Sequence, residues 1–419
     1  MRTLYFFTQD LRLQDNELWS RVFNESQEVC CVFYISPSLL KAHKYRQRFV
    51  YECFLELKKN LAKYNIPLVA SCHSPDEIAQ VMLESIDSFA IADDPGFYEN
   101  ELLKKLYALA NHHQKKLFYD DVGSLFKQEQ LPFSLEKLPP VFTDFRKKVE
   151  AQWAVPNLTL GPQATAKSSH LQIPELFIHE WQVPEMDQPR FRGGEVAGQE
   201  RLHAYLWQTQ SILSYKETRN GLLNFDDSSK FSPWLSTGAL SPRQIYWEIK
   251  KFEESFTANE STYWLVFELL WREYFRLYTR KYNKGIFKLR GPFIRNKNYL
   301  PNRLAEQEFQ KWISGQTGND FIDANMLELN STGYMSNRGR QNVASYLCKT
   351  MQVPWTWGAE YFEKMLVDYD VSSNWGNWNY VAGVGTDPRD RIFNADKQAQ
   401  DYDPQGLYQK KWLNPKSEN

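Results

Sequence analysis

The sequence predicts an α/β N-terminal domain, built on a parallel five-stranded, Rossmann-like sheet, followed by an all-α C-terminal domain. Three observations predict it. Short apolar runs alternate with helical stretches over the first 120 residues. Prolines then break the pattern between residues 121 and 194. From residue 193 helical spacing continues to the end, and strand alternation is scarce.

The apolar runs at 4–7, 29–35, 67–70, 89–92 and 117–119 read as buried strands. Between them, 51–64 sets Phe54, Leu55, Leu57 and Leu61 at helical spacing, and 100–112 is similarly periodic. In such a sheet ligands favour the carboxyl ends of the strands. Neither G-x-G-x-x-G nor GxxxxGK[ST] occurs there, so the standard dinucleotide and NTP fingerprints are missing. The proline-rich stretch reads as a long ordered linker over the surface. Beyond it, 242–252, 263–282, 321–328 and 341–351 read as helices. The expected boundaries are 1–130 for the α/β domain, 131–192 for the linker and 193–419 for the helical domain.

The chain has 419 residues, 42% hydrophobic and 24% charged, which excludes a disordered or collagenous chain. No run approaches ~18 apolar residues, so no membrane span is read, and the N-terminus does not read as a signal peptide. Five cysteines without a CxxC give no disulfide framework and no metal site. A reducing, cytoplasmic setting is expected. All seven histidines precede residue 204, so the second half works without a His base or ligand. The 15% aromatic content, with 14 Trp, fits a large core. Stacking surfaces or a chain of electron-carrying rings are the competing readings.

The net charge is −1, but residues 201–300 carry 16 Lys and Arg against 9 Asp and Glu. Within 272–297, nine basic residues and one acid, Glu273, interleave with Tyr and Phe. Basic residues position phosphates and aromatic faces stack on bases; a solvated helix face explains the run as well. In FDDSSKFSPWL, the hydroxyls around Lys230 suit a phosphate, or Ser232 is a plain helix cap before Pro233. Glu268 and Arg272 stand four apart on one helical face, a generic ion pair by default. In DYDVSSNWGNWNY, two acids and an Asn precede Trp and Tyr rings. That combination reads sugar hydroxyls and a flat heterocycle; a calcium loop lacks its Gly and distal Glu.

Together, WREYFR (271–276), GQTGNDFIDANMLELNSTGYMSNRGRQNVASYL (315–347) and NWGNWNYVAGVGTDPR (374–389) resemble the photolyase/cryptochrome family, with the best fit to its DASH group. FTQDLRLQDN (7–16) and GGEVAG (193–198) extend the resemblance over nearly the whole chain. It implies an α/β antenna domain, a linker and a helical domain holding a non-covalent, U-shaped FAD. It places Tyr215, Ser228, Ser229, Lys230, Phe231 and Ser232 at the FAD phosphates. Arg272, Asn337, Arg340, Asp368 and Asp370 match flavin-holding positions, with Arg340 pairing Asp368, and Asn374 matches the residue facing flavin N5. Glu268 and Trp271 match the lesion-contacting acid and aromatic wall, joined by Arg219, Gln341 and Tyr380. Trp378 and Trp355 match the proximal and middle members of an electron-transfer chain. Asn100, Glu101 and Lys288 resemble the contacts of a methenyltetrahydrofolate antenna.

Gln341 and Tyr380 resemble the DASH group; duplex-acting pyrimidine-dimer photolyases carry Met and Trp there. A (6-4) photolyase needs a His in the 336–341 motif, which this sequence lacks. The family's distal Trp aligns with Asn302, so the electron exit departs from the pattern, with Tyr299 or another Trp as substitute. The resemblance implies a monomeric, light-driven lyase that repairs cyclobutane pyrimidine dimers, preferentially in single-stranded DNA. The alternative is a blue-light photoreceptor that binds DNA and signals without repair.

Overall fold

In the computed structural model, residues 1–162, 167, 169–183, 189–293, 303–386 and 392–414 are described. The chain forms two compact units, each assembled from three stretches. The first comprises Met1–Leu131, Ala154–His203 and Phe231–Lys251; the second comprises Pro132–Trp153, Ala204–Lys230 and Phe252–Asn419.

In the first unit, β1 (Arg2–Phe7), β2 (Glu28–Tyr34), β3 (Leu68–Ser71), β4 (Ser88–Ala92) and β5 (Lys116–Asp120) form one sheet in the order β3-β2-β1-β4-β5. Every pairing is parallel, with Leu4 opposite both Cys30 and Phe89. The runs of β1 and β2 are buried because helices cover both faces. The strands are connected by α1 (Glu17–Glu25), α2 (Lys44–Ala62), α3 (Pro75–Met82) and α4 (Phe97–His112), with one further short helix at Pro37–Leu40 ahead of α2. Of these, α1 and α3 lie outside the segments read from periodicity. They are nine and eight residues long, too short for a helical period to stand out. Their caps carry the signal instead. Asn16 accepts the Trp19 N–H, and Ser74 and Glu77 form a capping box ahead of Pro75.

The strand order reverses between β1 and β4, where the chain leaving β1 is pinned from within. The Tyr5 hydroxyl donates to Asp10 at 2.7 Å. Arg12 donates to the carbonyls of Asp15, Val122 and Gly238 at 2.7, 2.6 and 2.9 Å. The Glu195 carboxylate accepts the N–H groups of Leu13 and Gln14, both at 3.0 Å. Arg243 reaches Asp15 at 3.1 Å and Glu17 at 2.9 Å. These bonds explain why 154–203 and 231–251 pack with the sheet, whereas the sequence suggests three consecutive segments.

The second unit is helical. Its spine is α5 (Glu260–Tyr282), with α6 (Asp320–Thr332), α7 (Asn337–Ser345), α8 (Trp355–Met365) and α9 (Val371–Ala382) packed in the same unit. Gly376 lets α9 approach α5 closely: a Cβ there would come within 2.3 Å of the Phe275 ring. The stretch read as one helix over 341–351 is two elements, because α7 gives way to a π turn at Tyr346–Thr350. A helix at Phe142–Glu150 interrupts the expected linker and buries Phe142, Phe145 and Val149. The 272–297 strip is not one solvated face. Arg276 and Glu273 are buried, Lys281 donates to the Leu138 carbonyl at 3.2 Å, and Arg295 and Lys297 lie outside the described residues. All five cysteines are free. Among the described residues no helix is long and apolar enough to cross a membrane, and no His, Cys, Asp and Glu group could hold a metal.

Candidate functional site

Residues of α7, α8 and α9, with the segment 366–370, line a pocket with a cavity volume of about 70 Å³. Seven residues singled out in the sequence line it: Asn337, Arg340, Gln341, Asp368, Asp370, Asn374 and Trp378. Two caps place them. Ser336 accepts the Gly339 N–H at 3.0 Å where α7 starts, and Asp370 accepts the Ser373 N–H at 2.6 Å where α9 starts. Asp370 therefore serves the backbone and the pocket together.

Arg340 Nη2 meets both Asp368 oxygens, at 2.9 and 2.8 Å, while its Nε donates to the Met335 carbonyl at 2.9 Å. Burial, the largest influence, works against the Arg340 charge, but Asp368, Tyr334 and Glu328 together outweigh it and leave the guanidinium above its ordinary value. Asn374 Nδ2 donates to the Ala359 carbonyl at 3.0 Å, which leaves Oδ1 as an acceptor. The apolar part of the lining includes Phe362, Leu366, Trp378 and Val381. A fixed cation, carboxylates, amides and apolar walls suit the flat ring and polar chain of a flavin.

The segment read as phosphate-binding is divided. Lys230 has a left-handed backbone, φ 57°, a conformation that costs a non-glycine residue and marks a constrained site. Its ammonium donates to Ser228 at 3.0 Å and lies 5.1 Å from the Tyr334 ring centre. Arg340 stands over the same ring at 5.3 Å. Tyr334 thus carries two cations, a role the sequence reading missed although YMSNRGRQN begins with it. Ser229 completes the Ser228–Lys230 part of the second unit, whereas Phe231 and Ser232 belong to the first. The helix there starts at Ser232 itself, one residue earlier than a Ser232 cap implies.

A second cluster forms around Glu268. Its ion partner is Arg219, at 2.5 Å, and not Arg272 one turn along α5. Tertiary contact has overridden the generic spacing rule. Burial pushes the Glu268 carboxyl above the usual carboxylate range against the opposing pull of Arg219. Tyr215 is buried, and burial with the Glu268 charge raises its phenol as well. Trp271 meets Tyr380 edge-on at 5.9 Å. One Trp271 face stacks on Phe142 at 3.7 Å, a partner hidden in the proline-rich stretch.

Trp378 makes ring contacts with Phe362 at 5.2 Å and Trp312 at 6.3 Å, whereas Trp355 meets Trp375 at 5.8 Å. The two rings read as neighbours in a chain thus have different ring partners. Asn302 and Tyr299 lie outside the described residues. Asn100 spends its amide on the Asp94 and Gly96 carbonyls, and Glu101 pairs with Lys104 at 2.7 Å. Lys288 belongs to the other unit.

A family profile described as the FAD binding domain of DNA photolyase matches residues 264–418, and one described as DNA photolyase matches residues 3–165. The chain is 40% identical to a Cryptochrome DASH of Synechocystis sp., over 98% of this chain and 87% of that protein. It is 38% identical to a chloroplastic/mitochondrial Cryptochrome DASH of Solanum lycopersicum, over 98% of this chain and 76% of the relative. Among solved structures, a Synechocystis cryptochrome superposes with a TM-score of 0.91 at 38% identity, covering 99% of this chain and 89% of that one. An archaeal photolyase from Sulfolobus tokodaii, crystallised with two FAD molecules, superposes at 0.81 with 26% identity, covering 99% and 90%.

Proposed function

Because the chain belongs to the photolyase/cryptochrome family, we propose that it is a DASH-type, blue-light-dependent flavoprotein that repairs cyclobutane pyrimidine dimers, preferentially in single-stranded DNA. The match to a photolyase FAD-binding domain supports FAD as the cofactor. One observation carries the further step to repair: Glu268, whose burial favours the protonated carboxyl, pairs with the cationic Arg219 and shares its helix with Trp271, which meets Tyr380 edge-on.

When bound, FAD would supply the light-driven one-electron chemistry by which a dimer's ring bonds are weakened and the electron is recovered. The protein's own residues do the rest. Arg340, held by Asp368, would bind polar groups of the cofactor, with Asp370 and Asn337 as further partners in the same pocket. Asn374, with Nδ2 held by the Ala359 carbonyl, would offer Oδ1 as an acceptor to a ring N–H of a bound flavin. When protonated, the form its burial favours, Glu268 would donate a hydrogen bond to the dimer as that gains negative charge. Arg219 holds that carboxyl in place, and Trp271 with Tyr380 forms a stacking wall. Gln341 lies at the pocket and offers an amide where a wedge would serve to open a duplex.

A dimer within a duplex must be flipped out, at a cost of roughly a few kcal/mol. A single strand avoids that cost. The test uses one dimer in matched single-stranded, duplex and bubble oligonucleotides under blue light. Repair should be clear in the single strand, weak in the duplex and restored in the bubble. Equal rates on strand and duplex would overturn the preference. A flavin-loaded protein that repairs none of them would favour the sensory reading.

A further inference from the structure

Tyr369 stands between Asp368 and Asp370 and lines the same pocket. Its hydroxyl donates to Glu363 Oε2 at 2.8 Å. That oxygen also accepts the Trp375 indole N–H, at 3.3 Å. Trp375 is in ring contact with Trp355 at 5.8 Å and Phe287 at 4.8 Å. One carboxylate thus joins the phenol of a pocket-lining residue to a pair of buried indoles.

The Trp378 branch is built differently. Trp312, its indole neighbour, donates its N–H to the Val343 carbonyl at 3.0 Å. A backbone carbonyl accepts a hydrogen bond but cannot take up a proton at neutral pH, whereas a carboxylate can. A phenol gives up an electron readily only when its proton leaves with it. Tyr369 has a proton acceptor already in hydrogen-bond contact.

We infer that Tyr369 and Glu363 form a proton-coupled electron donor to the bound flavin, separate from Trp378. The inference rests on the flavin reading above. In the step, photoexcited oxidised flavin takes one electron from Tyr369. The phenol O–H bond breaks, and its proton passes to Glu363 Oε2. A small thiol in solution then gives one hydrogen atom to the tyrosyl oxygen and becomes a thiyl radical, two of which couple to a disulfide. Glu363 releases its proton to solvent. Trp375, on the same carboxylate, orients that acceptor.

The test uses flavin-loaded protein carrying Trp378→Phe, so that the second donor is isolated, with thiol present. Its visible spectrum first establishes that flavin is bound; a colourless protein would overturn the flavin reading and this inference together. Under blue light, electron paramagnetic resonance should show a tyrosyl signal, and flavin reduction should slow in deuterium oxide. Adding Tyr369→Phe should abolish that signal and slow reduction by about tenfold, a barrier increase of about 1.4 kcal/mol. Glu363→Gln should slow it similarly while the flavin spectrum persists, and Glu363→Asp should restore part of the rate. A signal from tryptophan alone, or equal rates with and without Tyr369→Phe in a flavin-loaded protein, would overturn the inference and leave the flavin reading standing.

Discussion

Glu268 and Arg219 meet at 2.5 Å, yet the carboxyl remains harder to ionise than in an unfolded chain, because burial outweighs the guanidinium. The sign for stability follows. A raised carboxyl contributes in full below the ordinary carboxylate range, and that contribution is lost as pH rises through its folded value. Glu268→Gln should remove this limb. Melting curves of the flavin-loaded protein from about pH 4 to about pH 7 should fall less steeply with pH for the variant. Its dimer repair should drop more than its DNA binding, since the lost group acts on the charged dimer. Parallel melting profiles would show that Glu268 titrates normally in the fold.

Between residues and units lie the close approaches of the helices. Gly358 on α8 lies against Trp378 on α9: an added Cβ would come within 2.2 Å of the indole and 2.6 Å of Leu347. Gly358→Ala should therefore cost about 1–3 kcal/mol by overpacking and displace a ring of the pocket. Calorimetry and flavin retention on dilution should both register the change. Asp370→Ala should remove a cap, at about 1 kcal/mol, and also weaken cofactor retention. At this scale the sequence was a partial guide. The five strands were legible because buried parallel strands leave dense apolar runs, as in FAIA before Asp93. The pocket was legible because DYDVSSNW and SNRGRQ keep their chemistry within short spans. Phe142 was not, since its partner Trp271 is 129 positions away and nothing local marks the contact. The Glu268–Arg219 pair hid behind a nearer Arg for the same reason.

At the scale of the whole chain, the sheet unit depends on side chains remote in sequence. Arg243 and Asp15 are both buried, so Arg243→Ala should leave the Asp15 carboxylate without its ion partner and cost about 3–5 kcal/mol. Urea melts should show this loss. A fragment of residues 1–130 lacks Glu195, Arg243 and the Gly238 carbonyl that Arg12 uses. It should be less cooperative in urea than a fragment of residues 1–251, which retains all three. Equal cooperativity would mean that the strands and their own helices suffice.

The loop after β1 also sets a timetable. Its donors and acceptors are completed by Val122, Glu195, Gly238 and Arg243, so much of the chain must leave the ribosome before that loop can close. During synthesis at about 5–20 residues per second, an early β1 has to wait on the order of ten seconds with Arg12 short of its Gly238 acceptor and Asp15 of Arg243. The nascent loop after β1 therefore stays incomplete until the stretch beginning at Phe231 emerges.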